Sequence, residues 1–356
     1  MTTERLLTTL LPLCAGVEED IVRDFVDRMD PDYFDRFQPG DIARHIALVG
    51  RLDPDHPCQV AVTAAPEGMF DLVVVAYDYF SEFATICGLL SSYGLDIREG
   101  GIYTFTERTD APGGFSPRPD RSPASLRPRP RGKAGLTRKK IVDVFRVRPM
   151  LDTAFPPSQQ RRLAEELTRM VTLLDGNRFQ DVRRVVNRRL VETLGRSRSA
   201  FTDLLYPIHI HFDNDQSPTD TVMDIRSTDT PAFLYAFANA LTMRGLYIRK
   251  AQFEHVGAEL HDRFYVRGRH GQKLQDPAEQ QELRLTAALI KQFTHFLTWA
   301  PDPAKAIEYF DRFLDRIVEE AHGGKTLAFL KNKKTLALLA KLLGTSDFLW
   351  EDFLRR

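Results

Sequence analysis

Two acidic residues, Asp78 and Asp229, occupy corresponding places in the chain, each between an apolar strand-like stretch and a helical pattern. The start of a helix presents backbone N–H groups and a partial positive charge, which suit an anionic group. A carboxylate in the same loop suits a cationic group. A simpler interpretation is that each aspartate only caps its helix, and the sequence leaves both interpretations open.

A pair of histidines offers a second kind of chemistry. His209 and His211 lie two residues apart, so they share one face if this segment is a strand, and Asp213 and Asp215 follow. Two imidazoles can begin a metal site, but no third ligand with recognisable spacing is near. A structural or surface role is therefore favoured, and no metal or cofactor is expected in this chain.

The charge pattern argues against a nucleic-acid or membrane partner. Lysine plus arginine and aspartate plus glutamate are balanced at 49 each, so no overall field favours a polyanion. Basic residues are concentrated in residues 118–140, but this run lacks interleaved aromatic residues and is expected to be a solvated loop. Residues 1–13 are too short and too mixed for a signal peptide or a membrane span, which makes the cytoplasm the expected location.

The elements that position these residues form an internal repeat. Residues 73–98 recur at 224–249, an offset of 151, with matching Asp, Gly, Leu, Ile and Arg positions. A second set of matches, at an offset of 119, pairs Asp143, Phe145 and Val147 with Asp262, Phe264 and Val266. The first copy therefore carries 32 additional residues. They lie in the Pro-, Gly-, Ser- and Arg-rich segment 109–140, which cannot bury a core and is expected to be flexible.

Each copy has the pattern strand, helix, strand, strand, helix. Hydrophobic periodicity predicts strands at 72–76, 95–105, 141–147, 221–228, 246–256 and 260–267. Apolar residues at helical spacing mark the first helix of each copy: Phe80, Phe83, Ala84, Cys87 and Leu90, then Phe233, Leu234, Phe237, Ala238 and Leu241. Gly94 and Gly245 follow, where a left-handed C-cap favours glycine.

This order predicts an α+β fold with two ferredoxin-like βαββαβ modules, each an antiparallel sheet with helices on one face. Helices at 158–174 and 179–194 complete the first module and bridge to the second, which ends with a helix at 276–297. The predicted organisation is a helical N-terminal segment at 1–60, a first module at 61–200, a second module at 207–298 and a helical segment at 299–356.

These residues resemble a known family. His211 Phe212 Asp213 Asn214, with residues 221–229, Pro231, Leu234, Leu241, 245–248 and 264–266, resembles the last ACT domain of PII uridylyltransferases. Upstream, residues 29–34, with Phe37, Ile42, Ala43 and His45, resemble the linker that precedes the tandem ACT pair in the same enzymes. The resemblance covers residues 29–297 and implies two ACT modules with a regulatory role in bacterial nitrogen control.

The end of the chain resembles a different family. Residues 303–310 and 335–349 are similar to the helical opening of glutamine synthetase adenylyltransferases, which precedes a nucleotidyltransferase domain. The resemblance implies that the chain is the N-terminal portion of a longer polypeptide, or a relic of one. Nucleotidyltransferases of this superfamily need a Gly-Ser followed by paired acidic residues that hold Mg²⁺. No such pair follows Gly344 Thr345 Ser346, so no catalytic site is predicted in this chain.

The resemblance also implies a binding site. ACT pairs hold a free amino acid at the interface between modules, beside the loop that joins the first strand to the first helix. A helix start suits its α-carboxylate and an acidic side chain its α-ammonium. The ligand-binding candidates are Asp78, Tyr79, Ser81, Asp96, Asp229, Thr230, Ala232 and Tyr247. The two tyrosines are better explained as packing residues than as ligand contacts. The family's loop ends in Pro-Gly, where this chain has Ser81 and Ala232.

Two functions follow as hypotheses. The first is that glutamine or a related amino acid binds between the ACT modules and biases an adjoining uridylyltransferase or adenylyltransferase. The second is a scaffold that binds no small molecule and contacts PII or glutamine synthetase, which the replaced loop glycines favour. The sequence leaves open whether the two modules pair within one chain or across a homodimer.

Overall fold

The computed structural model describes residues 2–79, 81–106, 139–150, 154–194, 208–228, 232–257, 259–268 and 270–297, with Ala306, Tyr309 and Phe310. Several predicted features lie outside the described residues. They are almost all of the basic insertion, the site candidates Asp229 and Thr230, and nearly all of the C-terminal segment resembling adenylyltransferases.

Nine α-helices lie in the described part of the chain: α1 Thr3–Leu10, α2 Glu19–Arg28, α3 Pro31–Arg36, α4 Pro39–Val49, α5 Glu82–Ser92, α6 Pro157–Asp175, α7 Phe179–Leu194, α8 Phe233–Met243 and α9 Pro277–Leu297. The strands are β1 Cys58–Ala64, β2 Phe70–Tyr77, β3 Leu95–Thr104, β4 Lys140–Pro149, β5 Ile208–Asp213, β6 Thr221–Thr228, β7 Tyr247–Val256 and β8 Glu259–Arg267. The six strands predicted from the sequence are all present, and the long helices lie within two residues of their predicted bounds.

All eight strands join one antiparallel sheet in the order β1-β2-β4-β3-β7-β8-β6-β5. Successive side chains of β2 point to opposite faces of the sheet, and both faces are covered by helices. Leu72, Val74 and Ala76 face a core formed with α5 to α9, whereas Val73 and Val75 face the N-terminal helices α1 to α4. The fold class is therefore α+β, as predicted.

The two halves of this sheet repeat the same plan, but the plan differs from the predicted βαββαβ order. β1 and β5 precede the predicted elements, so each half runs strand, strand, helix, strand, strand, helix. Each added strand pairs as an antiparallel edge with the strand that follows it, β1 with β2 and β5 with β6. The additional strand of each half therefore precedes the predicted strand–helix–strand–strand pattern, whereas the ferredoxin-like plan places it at the end. β1 begins at Cys58, within the predicted N-terminal helical segment 1–60.

The halves are joined within the chain. β3 pairs antiparallel with β7, with Gly100 opposite Phe253 and Ile102 opposite Ala251. On the core face α5 lies against both α7 and α8. Gly88 permits this approach, because a Cβ atom there would lie 2.7 Å from Cδ2 of Tyr235. The two halves consequently share one core.

Buried ion pairs connect the N-terminal helices to the second half. Lys250 on β7 is only 2% exposed, and its ammonium group lies 3.2 Å from Asp30 at the start of α3. Arg249 bridges Asp30 and Asp220 at 3.3 and 2.8 Å. Removing one partner of a buried pair leaves an uncompensated charge, so this network fixes the α3 helix on the sheet.

The remaining candidate chemistry consists of three cysteines and a pair of histidines. Cys14, Cys58 and Cys87 are buried and free. His209 and His211 share the exposed face of β5. Within the described ranges no group of three or more His, Cys, Asp and Glu side chains is arranged to hold a metal ion, and no helix there is long and apolar enough to cross a membrane.

Candidate functional site

A first cavity, of about 60 Å³, lies where the loop before α5 meets the second half. Asp78, Tyr79 and Ser81 line it from that loop, and Tyr247 lines it from the start of β7. Four of the predicted site residues therefore meet in one place, although they come from both halves of the sheet. Tyr247 is 49% exposed, so it covers the cavity rather than filling the core.

Two further carboxyl groups line the first cavity. Glu82, the first residue of α5, is 4% exposed, and Asp143, in the middle of β4, is 1% exposed. One oxygen of Glu82 accepts a hydrogen bond from the backbone N–H of Tyr79 at 3.2 Å. The other Glu82 oxygen and both oxygens of Asp143 have no hydrogen-bond partner among the described residues. Buried polar atoms are nearly always paired, so these three stand out.

Burial disfavours the charged form of these carboxyl groups. It raises the pKa of Glu82 well above its ordinary value, and the nearby Asp143 and Asp78 raise it further. Burial also raises the pKa of Asp143 well above its ordinary value, with a further contribution from Asp78. Burial of its carboxyl group raises the pKa of Asp78, and the positive charge of Lys139 partly offsets this rise. The residue as a whole is nevertheless exposed.

A second cavity, of about 80 Å³, occupies the equivalent position at the other side of the join. Ala232 and Phe233 line it from the start of α8, and Asp96 lines it from the start of β3 in the first half. Asp262 on β8 contributes a carboxyl group that is 2% exposed. Each cavity thus combines a helix start of one half with the first residues of a strand in the other.

The two cavities can be compared position by position through the repeat. The corresponding residues, first cavity before second, are Ser81 and Ala232, Glu82 and Phe233, Thr104 and His255, Asp143 and Asp262, and Tyr247 and Asp96. The strand carboxyl group is the same in both. The first helical residue differs most, because a carboxylate in one cavity is replaced by a phenyl ring in the other.

His255 gives the second cavity an imidazole where the first has the hydroxyl group of Thr104. Its Nδ1 lies 2.7 Å from the carbonyl oxygen of Arg98. A carbonyl oxygen only accepts, so Nδ1 carries a proton and Nε2 is the acceptor in the neutral imidazole. This Nε2 is buried and has no partner within the described ranges.

Ser81 and Ala232 hold the backbone conformation that glycine adopts most easily. Their φ angles are 66° and 59°, both left-handed, and each is the N-cap residue of its helix. Neither side chain makes a capping hydrogen bond. A Cβ atom in this left-handed conformation costs roughly 1–2 kcal/mol at each position. Because Ser81 is the N-cap of α5, the alternative role of Asp78 as that cap is wrong.

The predicted site residues that the structure describes divide between the two cavities, and three carboxyl groups of the cavities, Glu82, Asp143 and Asp262, were not among them. Asp78, Tyr79, Ser81 and Tyr247 lie at the first cavity, and Ala232 and Asp96 at the second. Asp96 also pairs with Arg98 at 3.0 Å. Asp143 and Asp262 were recognised only as repeat landmarks. Their signal was an aspartate at the same position of the repeat, which stands out most in the otherwise apolar run Ile141 to Phe145.

Similarity to curated proteins extends over most of the chain, although no protein-family model matches it. The bifunctional uridylyltransferase/uridylyl-removing enzymes of Rhodospirillum rubrum and Gluconobacter oxydans are 24% and 25% identical over 263 and 282 residues, which are 73% and 79% of this chain. The enzyme of the same name from Ruegeria pomeroyi is 36% identical over 77 residues, 22% of this chain. The chain spans only 24%, 25% and 8% of these three relatives. Most of the chain is therefore related to one region of the bifunctional uridylyltransferase/uridylyl-removing enzymes.

Proposed function

We propose that this chain is an amino-acid-sensing regulatory region, built from two ACT-type modules, that controls a nucleotidyltransferase of nitrogen regulation. The modules are the two halves of the sheet, joined by β3 and β7. The kinship with uridylyltransferase/uridylyl-removing enzymes supports the target, and the cavities at the join support the sensing role. Glutamine is the proposed ligand, and PII or glutamine synthetase the proposed protein partner.

The observation that carries the proposal is the second cavity. The start of α8 provides backbone N–H groups for an α-carboxylate, and Phe233 places no negative charge there. Asp262 and the Nε2 acceptor of His255 are buried on the opposite strands, where an α-ammonium group needs acceptors. The two charged ends of an amino acid therefore meet complementary groups from the two sides of one cavity.

The size of this cavity connects binding to regulation. A volume of about 80 Å³ holds roughly three water molecules, far fewer than the non-hydrogen atoms of glutamine. Binding must therefore widen the space between the start of α8 and the first residues of β3. Since these elements belong to different halves, a ligand that binds the widened state better shifts the packing of the two modules.

The scaffold hypothesis remains as a second candidate because of one observation. Ser81 and Ala232 each add a Cβ atom at the turn where a glycine would let a ligand approach the backbone. If this atom excludes amino acids from both cavities, the chain acts through protein contacts alone. A pull-down that recovers PII or glutamine synthetase equally with and without amino acids would favour this second function.

Isothermal titration calorimetry with glutamine tests the first proposal. We expect saturable binding to the 356-residue chain, weakened at least tenfold by Asp262→Asn, which removes the charge that pairs with the ammonium group. Asp143→Asn, the same change in the other cavity, is the matched control and should leave glutamine affinity within about twofold. A folded chain that shows no heat of binding at millimolar glutamine would remove the sensing proposal.

A further inference from the structure

The first cavity differs from an amino-acid site in the charge that it presents. Glu82 stands at the first position of α5, where an α-carboxylate would have to bind, and Asp143 faces the same space from β4. No lysine or arginine is among its lining residues in the described part of the chain. An anionic ligand would therefore meet carboxyl groups on two sides, and no cationic side chain in this lining would balance its charge.

We propose that the first cavity binds a small ammonium-type cation, either the ammonium ion or a short primary alkylammonium, between Glu82 and Asp143. Three buried carboxyl oxygens lie there without a hydrogen-bond partner in the described residues. An ammonium group offers several N–H donors to such acceptors, and charge-assisted bonds of this kind are about twice as strong as neutral ones. The proposal goes beyond amino-acid sensing, because it needs no glutamine in either cavity.

Size and ligand number favour ammonium over other cations. The first cavity, of about 60 Å³, has room for about two water molecules, which suits an ammonium ion or methylammonium. Calcium takes six to eight oxygen ligands, and magnesium a near-ideal octahedron. The described residues contain no group of three or more side chains placed to hold a metal. An ammonium group bound by two carboxylates needs no such shell.

Binding must exchange protons for the cation. With the cavity empty, burial raises the pKa of Glu82 and of Asp143 and so favours the protonated form of each group. When ammonium enters, the carboxyl O–H bond breaks, the proton leaves to solvent, and the carboxylate pairs with the N–H donors. The other titratable groups facing the pair are Asp78 and Tyr79 from the loop, Tyr247 from β7, and the thiols of Cys58 on β1 and Cys87 on α5. Burial raises the pKa of both thiols, so they stay neutral and affinity rises with pH through the carboxyl groups alone.

Thermal unfolding in matched chloride salts tests the site. The full chain, without glutamine, is heated in ammonium, methylammonium, sodium or tetramethylammonium chloride at equal ionic strength and about pH 8. We expect a higher Tm in ammonium or methylammonium than in sodium or tetramethylammonium, since only the first two are small and donate N–H bonds. Asp143→Asn and Glu82→Gln should each abolish the difference, whereas Asp262→Asn in the second cavity should retain it.

Direct binding makes the outcome decisive. Calorimetry with ammonium chloride, run in buffers of different ionisation enthalpy, should show proton release that disappears in Asp143→Asn, together with an apparent Kd at least tenfold weaker. Equal effects of all four salts, stabilisation by sodium as strong as by ammonium, or an ammonium effect that survives both substitutions would each overturn the assignment. Loss of glutamine binding in Asp262→Asn bears only on the second cavity, so the two proposals fail separately.

Discussion

The two cavities at the join of the sheet have the same architecture and opposite electrostatic character. Both combine a left-handed N-cap residue, a buried strand aspartate and the start of a strand from the other half. They differ at the first helical residue, Glu82 in one and Phe233 in the other. A repeated fold can thus keep the geometry of a site while one position decides whether a ligand's carboxylate is admitted or repelled.

The contrast between Glu82 and Phe233 gives the largest expected effect. Phe233 is 1% exposed and stacks on Phe237 with a ring separation of 5.6 Å. We expect Phe233→Ala to lower the free energy of unfolding by about 3–5 kcal/mol through loss of buried apolar surface and a residual cavity. Glu82→Ala should change it by less than about 1 kcal/mol, because relief of a buried carboxyl group offsets the lost bond to Tyr79. Urea unfolding of both variants measures the difference, and equal losses would show that the two positions are energetically alike.

The next largest effect is expected in the pH dependence of stability, which Asp143 in the first cavity should control. Burial raises the folded-state pKa of Asp143 above the value of about 4 in the unfolded chain. As the pH rises above that value, the unfolded state loses protons that the folded state keeps, so the folded state loses stability. Asp143→Asn cannot ionise, so it should be more stable than the parent by about 1–3 kcal/mol near pH 8. This advantage should shrink toward pH 4, and urea unfolding across the pH range would show the opposite slope if Asp143 were ionised when folded.

The strained N-cap residues give the smallest expected effect, and it should be equal in the two cavities. Ser81 and Ala232 both have left-handed backbones, with φ of 66° and 59°. Ser81→Gly and Ala232→Gly should each raise the free energy of unfolding by about 0.5–1 kcal/mol, because the gain from removing Cβ strain exceeds the entropic cost of glycine. Differential scanning calorimetry measures both. Destabilisation by either glycine would mean that its Cβ atom packs favourably at the turn.

The sequence predicted the repeated elements well because their local signals are strong. α7 and β6 have the predicted bounds, and Gly94 and Gly245 are left-handed, with φ of 68° and 70°, as their positions after the helices required. β1 was missed because its central residues are only half-buried along an edge strand, so hydrophobic alternation is weak. The hairpin that brings it to β2 was therefore not recognised.

The join and the buried carboxyl groups were harder to predict. β3 and β7 are about 150 residues apart in the sequence, and no local pattern indicates that they pair. That pairing brings Tyr247 to Ser81 and Asp96 to Ala232, so the composition of each cavity depends on it. Asp143 has the same local sequence context whether it faces solvent or a closed cavity. Only the covering of β4 by α5 makes it a buried acid.

A crystal structure of the chain grown with glutamine tests the central claim most directly. The account predicts density for the amino acid in the second cavity, with its carboxylate at the start of α8, its ammonium group at Asp262 and His255, and the first residues of β3 moved away from Ala232. Glutamine bound at a different place, or a well-ordered second cavity that stays closed around its own side chains at saturating ligand, would contradict it.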